Sequence, residues 1–200
     1  MKPPSPERIF AADIGRYFYS RPGRPDLSRK IRYYAHVTRY FVLEPGFRAI
    51  YFYRVNNRIV RNKIRFIGPF FRFMGSALTG IRISPYADIG SGLFIPNAQC
   101  IVIGYGVEIG KNVTIYQGVT IGIVPGKKRD ERTTPIIGDN VMLGAGSKIL
   151  GPVSIGDNSI IGANAVVVRD VPANSVATGV PAEVSGTVKV PYPQQLEDSG

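Results

Sequence analysis

The chain has 200 residues, one histidine, one cysteine and a formal net charge of +11. A single cysteine excludes an intramolecular disulfide framework, and no CxxC motif or Cys/His cluster suggests structural zinc or another metal site. The sequence has no apolar run of about 18 residues or more and no recognisable secretory signal. These features predict a soluble, cytoplasmic protein.

The charge is distributed unevenly along the chain. Residues 1–82 hold 17 Lys and Arg against 4 Asp and Glu, whereas residues 83–200 hold 8 against 10. Because such a change in composition marks a change in architecture, we predict three units. They are a basic, aromatic-rich helical region at 1–82, a repeat domain at 83–184 and a C-terminal tail at 185–200.

The first unit is predicted to contain helices separated by turns. A break at Arg21–Asp26 interrupts residues 7–41, and Pro45-Gly46 precedes a predicted helix from about Phe47 to Arg65. A second, short apolar segment runs from Phe70 to Leu78 and leads into the repeats.

Four arginines of the predicted helix recur at spacings of four, three and four and therefore share one face. They are Arg54, Arg58, Arg61 and Arg65. One interpretation is a solvated face whose opposite side packs on the rest of the protein. The alternative is a contact with an anionic membrane or a phosphate-bearing lipid, aided by the phenylalanines that follow. Nucleic-acid binding is not expected, because no binding motif accompanies the charge.

A six-residue rhythm of aliphatic residues runs from about Ile83 to Pro181. The residues that open the hexads are Ile83, Ile89, Ile95, Ile103, Ile109, Ile115, Ile121, Ile137, Leu143, Ile149, Ile155, Ile161 and Val167. A hexapeptide period is typical of a parallel β-helix, in which about three hexads form one coil. We expect each aliphatic opener to point inward, and the glycine that often follows it to lie where a Cβ would clash.

Two interruptions break this rhythm. The hexad phase slips by two residues at IPNAQCIV, and a polar insertion occupies about Ile123 to Pro135. Insertions in a solenoid become surface loops, and such loops often shape a binding site.

Residues Ile83 to Val184 resemble the serine O-acetyltransferase group of hexapeptide-repeat acyltransferases. The resemblance rests on IVIGYGVEIGKNVTIYQGVTIG, on IIGDNVMLGAGSKILGPVSIGDNSIIGANAVVVRDVP and on GVPA, together with PGFRAIYFYRV upstream. The sequence looks most similar to the polysaccharide-type branch of this group.

The resemblance implies a mainly β fold, a left-handed parallel β-helix preceded by an α-helical region, which normally assembles as a homotrimer. It also implies acetyl-CoA as acyl donor, lying between neighbouring subunits. By position, the donor site would involve Gly122, Ala145, Lys148 and Ala163. Lys127, Lys128 and Arg129 on the inserted loop would suit the phosphates of coenzyme A.

The positions that carry catalytic residues in the family hold different residues here. Asn97 stands where the resemblance places the general-base histidine, and Pro96 stands in place of its partner carboxylate. Thr134 stands in place of a second histidine. Because an amide cannot accept a proton at neutral pH, Asn97 and Thr134 are expected to orient substrate or stabilise charge rather than act as bases.

Four other residues are alternative candidates for the missing base or nucleophile. His36 is the only histidine in the chain and lies in the helical region, far in sequence from the hexads. Cys100 lacks a neighbouring histidine and is interpreted as a small filler residue rather than a nucleophile. Asp130 and Glu131 on the inserted loop are interpreted as solvated charges.

Two main functional hypotheses remain open at the level of sequence. The first is a CoA-dependent O-acetyltransferase acting on serine or on a saccharide hydroxyl, with both family histidines missing. The second is a catalytically inactive homologue that serves as a trimeric scaffold or regulatory partner. A third possibility is a protein that binds the surface of an anionic membrane. A γ-carbonic-anhydrase site is excluded, because the hexads contain none of the three histidine ligands that it needs.

Overall fold

The computed structural model describes residues 6–19, 30–64 and 66–189, in which helices come first and short strands follow. The helices are α1 (Pro6–Tyr19), α2 (Lys30–Leu43), α3 (Pro45–Arg61) and α4 (Gly68–Thr79). The predicted break at Arg21–Asp26 lies outside the described residues. None of the described helices is long and apolar enough to cross a membrane.

The strands contain two to five residues each and follow the hexads. They are β1 (Arg82–Ile83), β2 (Asp88–Ile89), β3 (Val102–Ile103), β4 (Glu108–Ile109), β5 (Thr114–Ile115), β6 (Thr120–Gly122), β7 (Ile136–Ile137), β8 (Met142–Leu143), β9 (Lys148–Leu150), β10 (Ser154–Ile155), β11 (Ile160–Ile161), β12 (Val166–Val167), β13 (Ser175–Thr178) and β14 (Glu183–Thr187).

Three sheets form the walls of a parallel β-helix. The first sheet has the order β1-β3-β6-β9-β12, the second β10-β7-β4-β2 and the third β14-β13-β11-β8-β5. The chain visits the sheets in turn, so each coil pairs with the next one. Ile103 lies opposite Ile121 in the first sheet, and Leu143 lies opposite Ile161 in the third. The predicted mainly β repeat fold with a helical N-terminal region is therefore confirmed.

The core of the β-helix consists of the aliphatic openers of the hexads. From Ile89 to Val167 each opener is no more than 4% exposed. Each core residue stacks on its equivalent in the next coil, so the apolar interior is continuous along the axis and coils stabilise one another. This confirms the inward orientation predicted from the rhythm.

The glycine after an opener allows neighbouring coils to approach closely. A Cβ added to Gly110 would lie 2.6 Å from the backbone carbonyl carbon of Gly138, and one added to Gly144 would lie 2.7 Å from the amide nitrogen of Ala163. Both distances are shorter than real contacts of a Cβ. The glycines are therefore required by the spacing between coils, as predicted.

Asparagines at the corner between the second and third sheets form a ladder. Asn112, Asn140, Asn158 and Asn174 all have φ between 55° and 59°. The side-chain amide of each donates to the Oδ1 of the next, at 3.2, 3.1 and 2.9 Å. Asparagine suits this corner because it tolerates the left-handed conformation and can pair with an identical residue one coil away.

Side chains of α1 and α3 cover the open edge of the first coil. The Asp13 carboxylate accepts from the backbone N–H groups of Gly92 and Leu93, at 2.8 and 3.0 Å. Arg54 donates to both oxygens of Asp13 and to the carbonyls of Ile89 and Gly90. These groups have no preceding coil to pair with, and the helices satisfy them instead.

Two buried tyrosines extend this contact. The Tyr17 hydroxyl lies 3.2 Å from the carbonyl oxygen of Ile95, and the Tyr53 hydroxyl donates to the Ala87 carbonyl at 2.9 Å. Burial raises the pKa of Tyr17, and it raises the pKa of Tyr53 to about 12. Both hydroxyls therefore stay protonated and able to donate near neutral pH.

The arginine face of α3 is only partly the solvated face that one interpretation of the sequence gave. Arg54 is only 15% exposed and pairs with the fully buried Asp13, while Arg61 pairs with Asp88 on the first coil. Only Arg54 is drawn in, because the carboxylate of Asp13 in α1 and two carbonyls of the first coil bind it. Arg58 is exposed, and Arg65 lies outside the described residues.

The inserted segment forms a surface loop between β6 and β7. Arg129 and Arg132 exchange two backbone hydrogen bonds across a tight turn in which Asp130 and Glu131 have positive φ. At the other end of the β-helix, β14 pairs antiparallel with β13 and covers the last coil. The division into units at residues 82 and 184 stays a prediction, and β14 continues to Thr187.

We predict that Asp13→Ala lowers the free energy of unfolding by about 3–5 kcal/mol, because it leaves Arg54 with no carboxylate in a buried site. Asp13→Asn should lower the free energy of unfolding by less, since the side-chain carbonyl oxygen of asparagine can still accept from the backbone amides. Urea unfolding followed by circular dichroism measures both. Asp88→Ala is the matched control, because its ion pair with Arg61 is exposed and contributes about 1 kcal/mol or less. Equal losses for Asp13→Ala and Asp88→Ala would contradict the role of the buried pair.

We also predict that Asn158→Ala destabilises the protein by about 2–4 kcal/mol, because it removes ladder hydrogen bonds and because alanine tolerates the left-handed conformation less well than asparagine does. Asn158→Gly removes the same hydrogen bonds but accepts the φ of 59°, so it should be less harmful. Thermal unfolding compares the two variants. A glycine variant less stable than the alanine variant would show that backbone conformation does not limit this corner.

Candidate active site

A column of residues from successive coils lies at the corner between the third and first sheets. We call Asn97, Gln117, Ala145 and Ala163 the corner column. The Asn97 side-chain amide donates to Gln117 Oε1 at 3.2 Å. The Gln117 carbonyl accepts from Gly146 N–H at 2.7 Å, and the Ala145 carbonyl accepts from Asn164 N–H at 2.8 Å. Gln117, Ala145 and Ala163 therefore stack coil on coil, and Asn97 joins them through its side chain.

The two-residue slip in the hexad phase creates the loop that carries Asn97. After Phe94 pairs with Thr114, the chain bends outward through residues 96–100 before β3 begins. Cys100 takes a φ of 53°, and the N–H of Gln99 donates to the Asn97 carbonyl at 3.1 Å. Asn97 consequently stands exposed at the corner, beside the half-buried Gln117.

Lys148 connects the corner column with the outer face of the first sheet. It follows the corner at the start of β9, and its Nζ donates to the Gly118 carbonyl, next to Gln117. The structure thus brings together four of the six residues singled out in the sequence, namely Asn97, Ala145, Lys148 and Ala163.

Gly122 and Thr134 lie away from the corner column. Gly122 ends β6 at the opposite end of the first sheet, where its carbonyl accepts from Gly151 N–H at 2.9 Å. Thr134 precedes β7 and packs beside Gly106, at the corner between the first and second sheets. Within one chain, therefore, Thr134 and Asn97 occupy different corners of the β-helix.

Basic residues of the inserted loop border a cavity of about 330 Å³. Lys127, Lys128 and Arg129 line it together with Arg169 and Asp170. Arg129 forms an ion pair with Asp170, and Arg132 is held by Ser154 Oγ and the Pro152 carbonyl. With four cations and one carboxylate at its wall, this cavity favours an anion.

The carboxylate in this cavity is held in its charged form. Partial burial alone would raise the pKa of Asp170, but hydrogen bonds from Arg129 and from the Ser154 backbone N–H, with the nearby charge of Arg132, lower it overall. Asp170 therefore anchors the inserted loop to the coil below and is not a candidate proton acceptor at neutral pH.

The alternative catalytic candidates do not join the corner column as acid–base pairs. Cys100 is exposed with a free thiol, and Asp130 and Glu131 form the exposed tip of the inserted loop. His36 lies in α2, and its side chain is outside the described residues. Among the residues that the structure describes, no group of three or more His, Cys, Asp or Glu could hold a metal ion.

The chemistry that this arrangement can perform follows from its functional groups. The amides of Asn97 and Gln117 can donate to and accept from a substrate, but they cannot remove a proton at neutral pH. Amide donors can still stabilise a developing oxyanion. The corner is thus equipped to bind and orient, without a strong general base from the described part of the chain.

Two features of this region were not anticipated from the sequence. Gln117 is the hydrogen-bond partner of Asn97, and the 20-residue offset between β1 and β3 pairing partners was the available clue to it. The rings of Tyr86 and Tyr105 make a tilted contact, with centroids 5.1 Å apart, at the corner that also holds Gly106. Both tyrosines are exposed, and the aliphatic rhythm gave no signal for them.

Comparison with known proteins defines the class first. Residues 134–169 match the sequence model described as "Bacterial transferase hexapeptide (six repeats)". The chain is 43% identical over 142 residues to a serine acetyltransferase of Helicobacter pylori, covering 71% of this chain and 82% of that protein. It is also 43% identical over 145 residues to a serine acetyltransferase of Mycobacterium tuberculosis, covering 71% of this chain.

Solved structures agree with the sequence comparison. A serine acetyltransferase of Neisseria gonorrhoeae in complex with serine matches with a TM-score of 0.73 and 34% identity, covering 89% of this chain and 68% of that one. Soybean serine acetyltransferase complexed with serine matches with a TM-score of 0.76 and 32% identity, covering 90% and 70%. The chain belongs to the serine acetyltransferase family of hexapeptide-repeat transferases. It spans 61% of the length of the M. tuberculosis relative.

Proposed function

We propose that the protein is an acetyl-CoA-dependent O-acetyltransferase of the serine acetyltransferase type, with Asn97 and Thr134 in place of the family's histidines. The observation that carries this proposal is the corner column, which continues from Asn97 through Gln117 to Ala145 and Ala163. Serine is the preferred acceptor, because the relatives are serine acetyltransferases and two similar structures contain serine.

The donor side of the proposed site is largely made of small residues and backbone. Ala145 and Ala163 leave room along the corner, and Lys148 supplies a cation beside it. Gly122 leads into the inserted loop, whose Lys127, Lys128 and Arg129 border the cationic cavity. Such a sequence of small residues and cations suits a long ligand with phosphates at one end.

The acceptor side is where this chain departs from its family. In the transfer, the acceptor hydroxyl oxygen attacks the thioester carbonyl carbon, the C–S bond breaks, and the hydroxyl proton ends on the released thiol of coenzyme A. Without a histidine base, the step would lose roughly 10²–10⁴ in rate. Asn97 and Gln117 would orient the hydroxyl and stabilise the oxyanion, which recovers part of this loss.

A homotrimer, as the resemblance implies, is part of the proposal. Asn97 and Thr134 lie at different corners of one chain, so a single subunit does not bring the two positions together. Packing one subunit's corner column against the neighbour's corner at Gly106 would place Thr134 near Asn97 and enclose the donor between subunits.

A second candidate is a catalytically inactive trimer with a scaffold or regulatory role. It is favoured by the hydrogen bond between the side-chain amides of Asn97 and Gln117, which ties up groups that would otherwise face the acceptor. The only histidine of the sequence is in the helical region. On this view acetyl-CoA still binds, but acetyl transfer is absent.

The more specific predictions from the sequence, on the acceptor, the branch of the family and the cellular location, are part of this proposal. A saccharide hydroxyl as acceptor and membership of the polysaccharide-type branch remain alternatives to serine, and parallel assays with both acceptor classes distinguish them. A cytoplasmic location with peripheral membrane contact is likewise proposed, and fractionation of cells producing the tagged full chain tests it.

We predict that Ala163→Trp weakens binding of coenzyme A by about tenfold or more, because an indole in the corner column occupies the space proposed for the ligand. Isothermal titration with coenzyme A measures the affinity. Ala173→Trp is the matched control, since Ala173 is also exposed but lies at the corner of the asparagine ladder. Unchanged affinity for Ala163→Trp, with both variants folded, would place the donor elsewhere.

We further predict that the double variant Asn97→His/Thr134→His releases thiol from acetyl-CoA in the presence of serine roughly 10²-fold faster than the unaltered chain. A thiol-reactive dye follows the release, and Asp130→His/Glu131→His is the control for histidines placed on an exposed loop. A measurable rate in the unaltered chain supports the transferase. Activity that appears only in the Asn97→His/Thr134→His variant supports the inactive homologue, whereas an unchanged rate contradicts the assigned position of the acceptor.

A further inference from the structure

The segment from the end of α3 through α4 presents large aromatic side chains to solvent. Phe66 is 97% exposed, Phe70 60% and Phe73 68%, and Ile64 and Ile67 are close to half exposed. Isolated exposed apolar residues are common on proteins, but a contiguous apolar patch marks an interaction surface.

Two of these phenylalanines share one face of α4. Phe70 and Phe73 are three residues apart in the helix, so their rings project from the same side. Phe66 lies in the turn two residues before the helix begins and is the most exposed of the three. We call these three residues the aromatic stripe.

The opposite face of α4 is fixed against α3 by small residues. Gly68, Gly75 and Thr79 are buried, and a Cβ added to Gly75 would lie 2.9 Å from Phe52 Cβ. Because larger side chains do not fit on that face, α4 cannot rotate to bury the aromatic stripe. The helix thus places its small residues and Phe71 against α3, and it leaves Phe70 and Phe73 outward.

The charge around the aromatic stripe has a single sign. Residues 45–87 contain eight Lys and Arg and no Asp or Glu. Arg58, Lys63 and Arg72 are exposed in the same part of the chain, while Arg54 and Arg61 are engaged by Asp13 and Asp88. Each exposed cation near an anionic lipid surface contributes about 1 kcal/mol to binding.

We propose that the aromatic stripe and its neighbouring cations dock the protein on the surface of an anionic lipid bilayer. The phenylalanine rings enter the boundary between headgroups and acyl chains, and Lys63 and Arg72 remain among the headgroups. The α4 helix lies on the membrane and does not span it. This assignment replaces the arginine face of α3, because Arg54 is committed to the β-helix.

Charge complementarity favours a lipid surface over a second copy of the chain. Several exposed acidic residues of the described β-helix already accept hydrogen bonds. Asp88 lies opposite Glu108 in the second sheet, and it is engaged by Arg61. Asp139 accepts from Lys111 N–H, Asp157 from Asp139 N–H, and Asp170 pairs with Arg129. An anionic bilayer supplies negative charge and apolar depth in one layer, which is what the aromatic stripe and its cations require together.

Flotation of the full chain with lipid vesicles tests the proposal. We expect the protein to float with phosphatidylcholine vesicles that contain about one third phosphatidylserine, and at least about tenfold less with phosphatidylcholine alone. Raising the salt concentration from about 0.1 to 0.5 M should weaken binding several-fold. No flotation, or equal flotation with the two kinds of vesicle, overturns the proposal.

Two variants test whether flotation depends on the aromatic stripe or on any exposed apolar side chain. Phe70→Ser/Phe73→Ser should reduce flotation by about tenfold or more, while the control Ile123→Ser/Val184→Ser removes equally exposed apolar residues elsewhere and should leave flotation unchanged. Phe66→Ser alone should reduce it several-fold with an unchanged melting temperature, because that ring is 97% exposed. Wild-type flotation of both stripe variants overturns the proposal.

Sedimentation velocity without vesicles tests whether a second copy of the chain, rather than a lipid bilayer, contacts the aromatic stripe. If the aromatic stripe is a contact between copies of the chain, Phe66→Ser should lower the mass of the assembly in solution. Such a fall overturns the membrane assignment. An unchanged mass, together with loss of flotation, supports it.

Discussion

The open edge of the first coil is the constraint on which the rest of this structure depends. Each coil of a parallel β-helix hydrogen-bonds only to its neighbours, so the first coil leaves polar backbone groups without a strand partner. Asp13, Tyr17, Tyr53 and Arg54 satisfy those groups from α1 and α3. The helical region is therefore the end cap of the solenoid, and it packs on the first coil.

The β-helix could be predicted because an aliphatic residue opens nearly every hexad from Ile89 to Val167. The orientation of the arginine face could not, since the partner of Arg54 is 41 residues earlier in the sequence and no local pattern indicates that pairing. The position of Asn97 beside Gln117 also depended on how the two-residue slip is accommodated at the corner. Periodicity determines which residues stack, whereas long-range polar contacts decide which helix face is buried.

The proposed site combines a donor side typical of its family with an altered acceptor side. Ala145, Lys148 and Ala163 follow the coil geometry and could be assigned by resemblance. In our proposal Asn97 and Thr134 stand in place of the family's histidines, and their side chains have no proton acceptor suited to neutral pH. Neither residue belongs to the buried core, so the aliphatic stacking of the β-helix does not involve them.

A crystal structure of the full chain with bound coenzyme A tests the central claim most directly, namely that the corner column guides the donor toward Asn97. The account predicts that the pantetheine arm follows Ala163 and Ala145, and that its thiol ends beside the Asn97 and Gln117 amides. It also predicts the phosphates near Lys127 and Lys128. Coenzyme A bound at another corner, such as the asparagine ladder, would contradict the account.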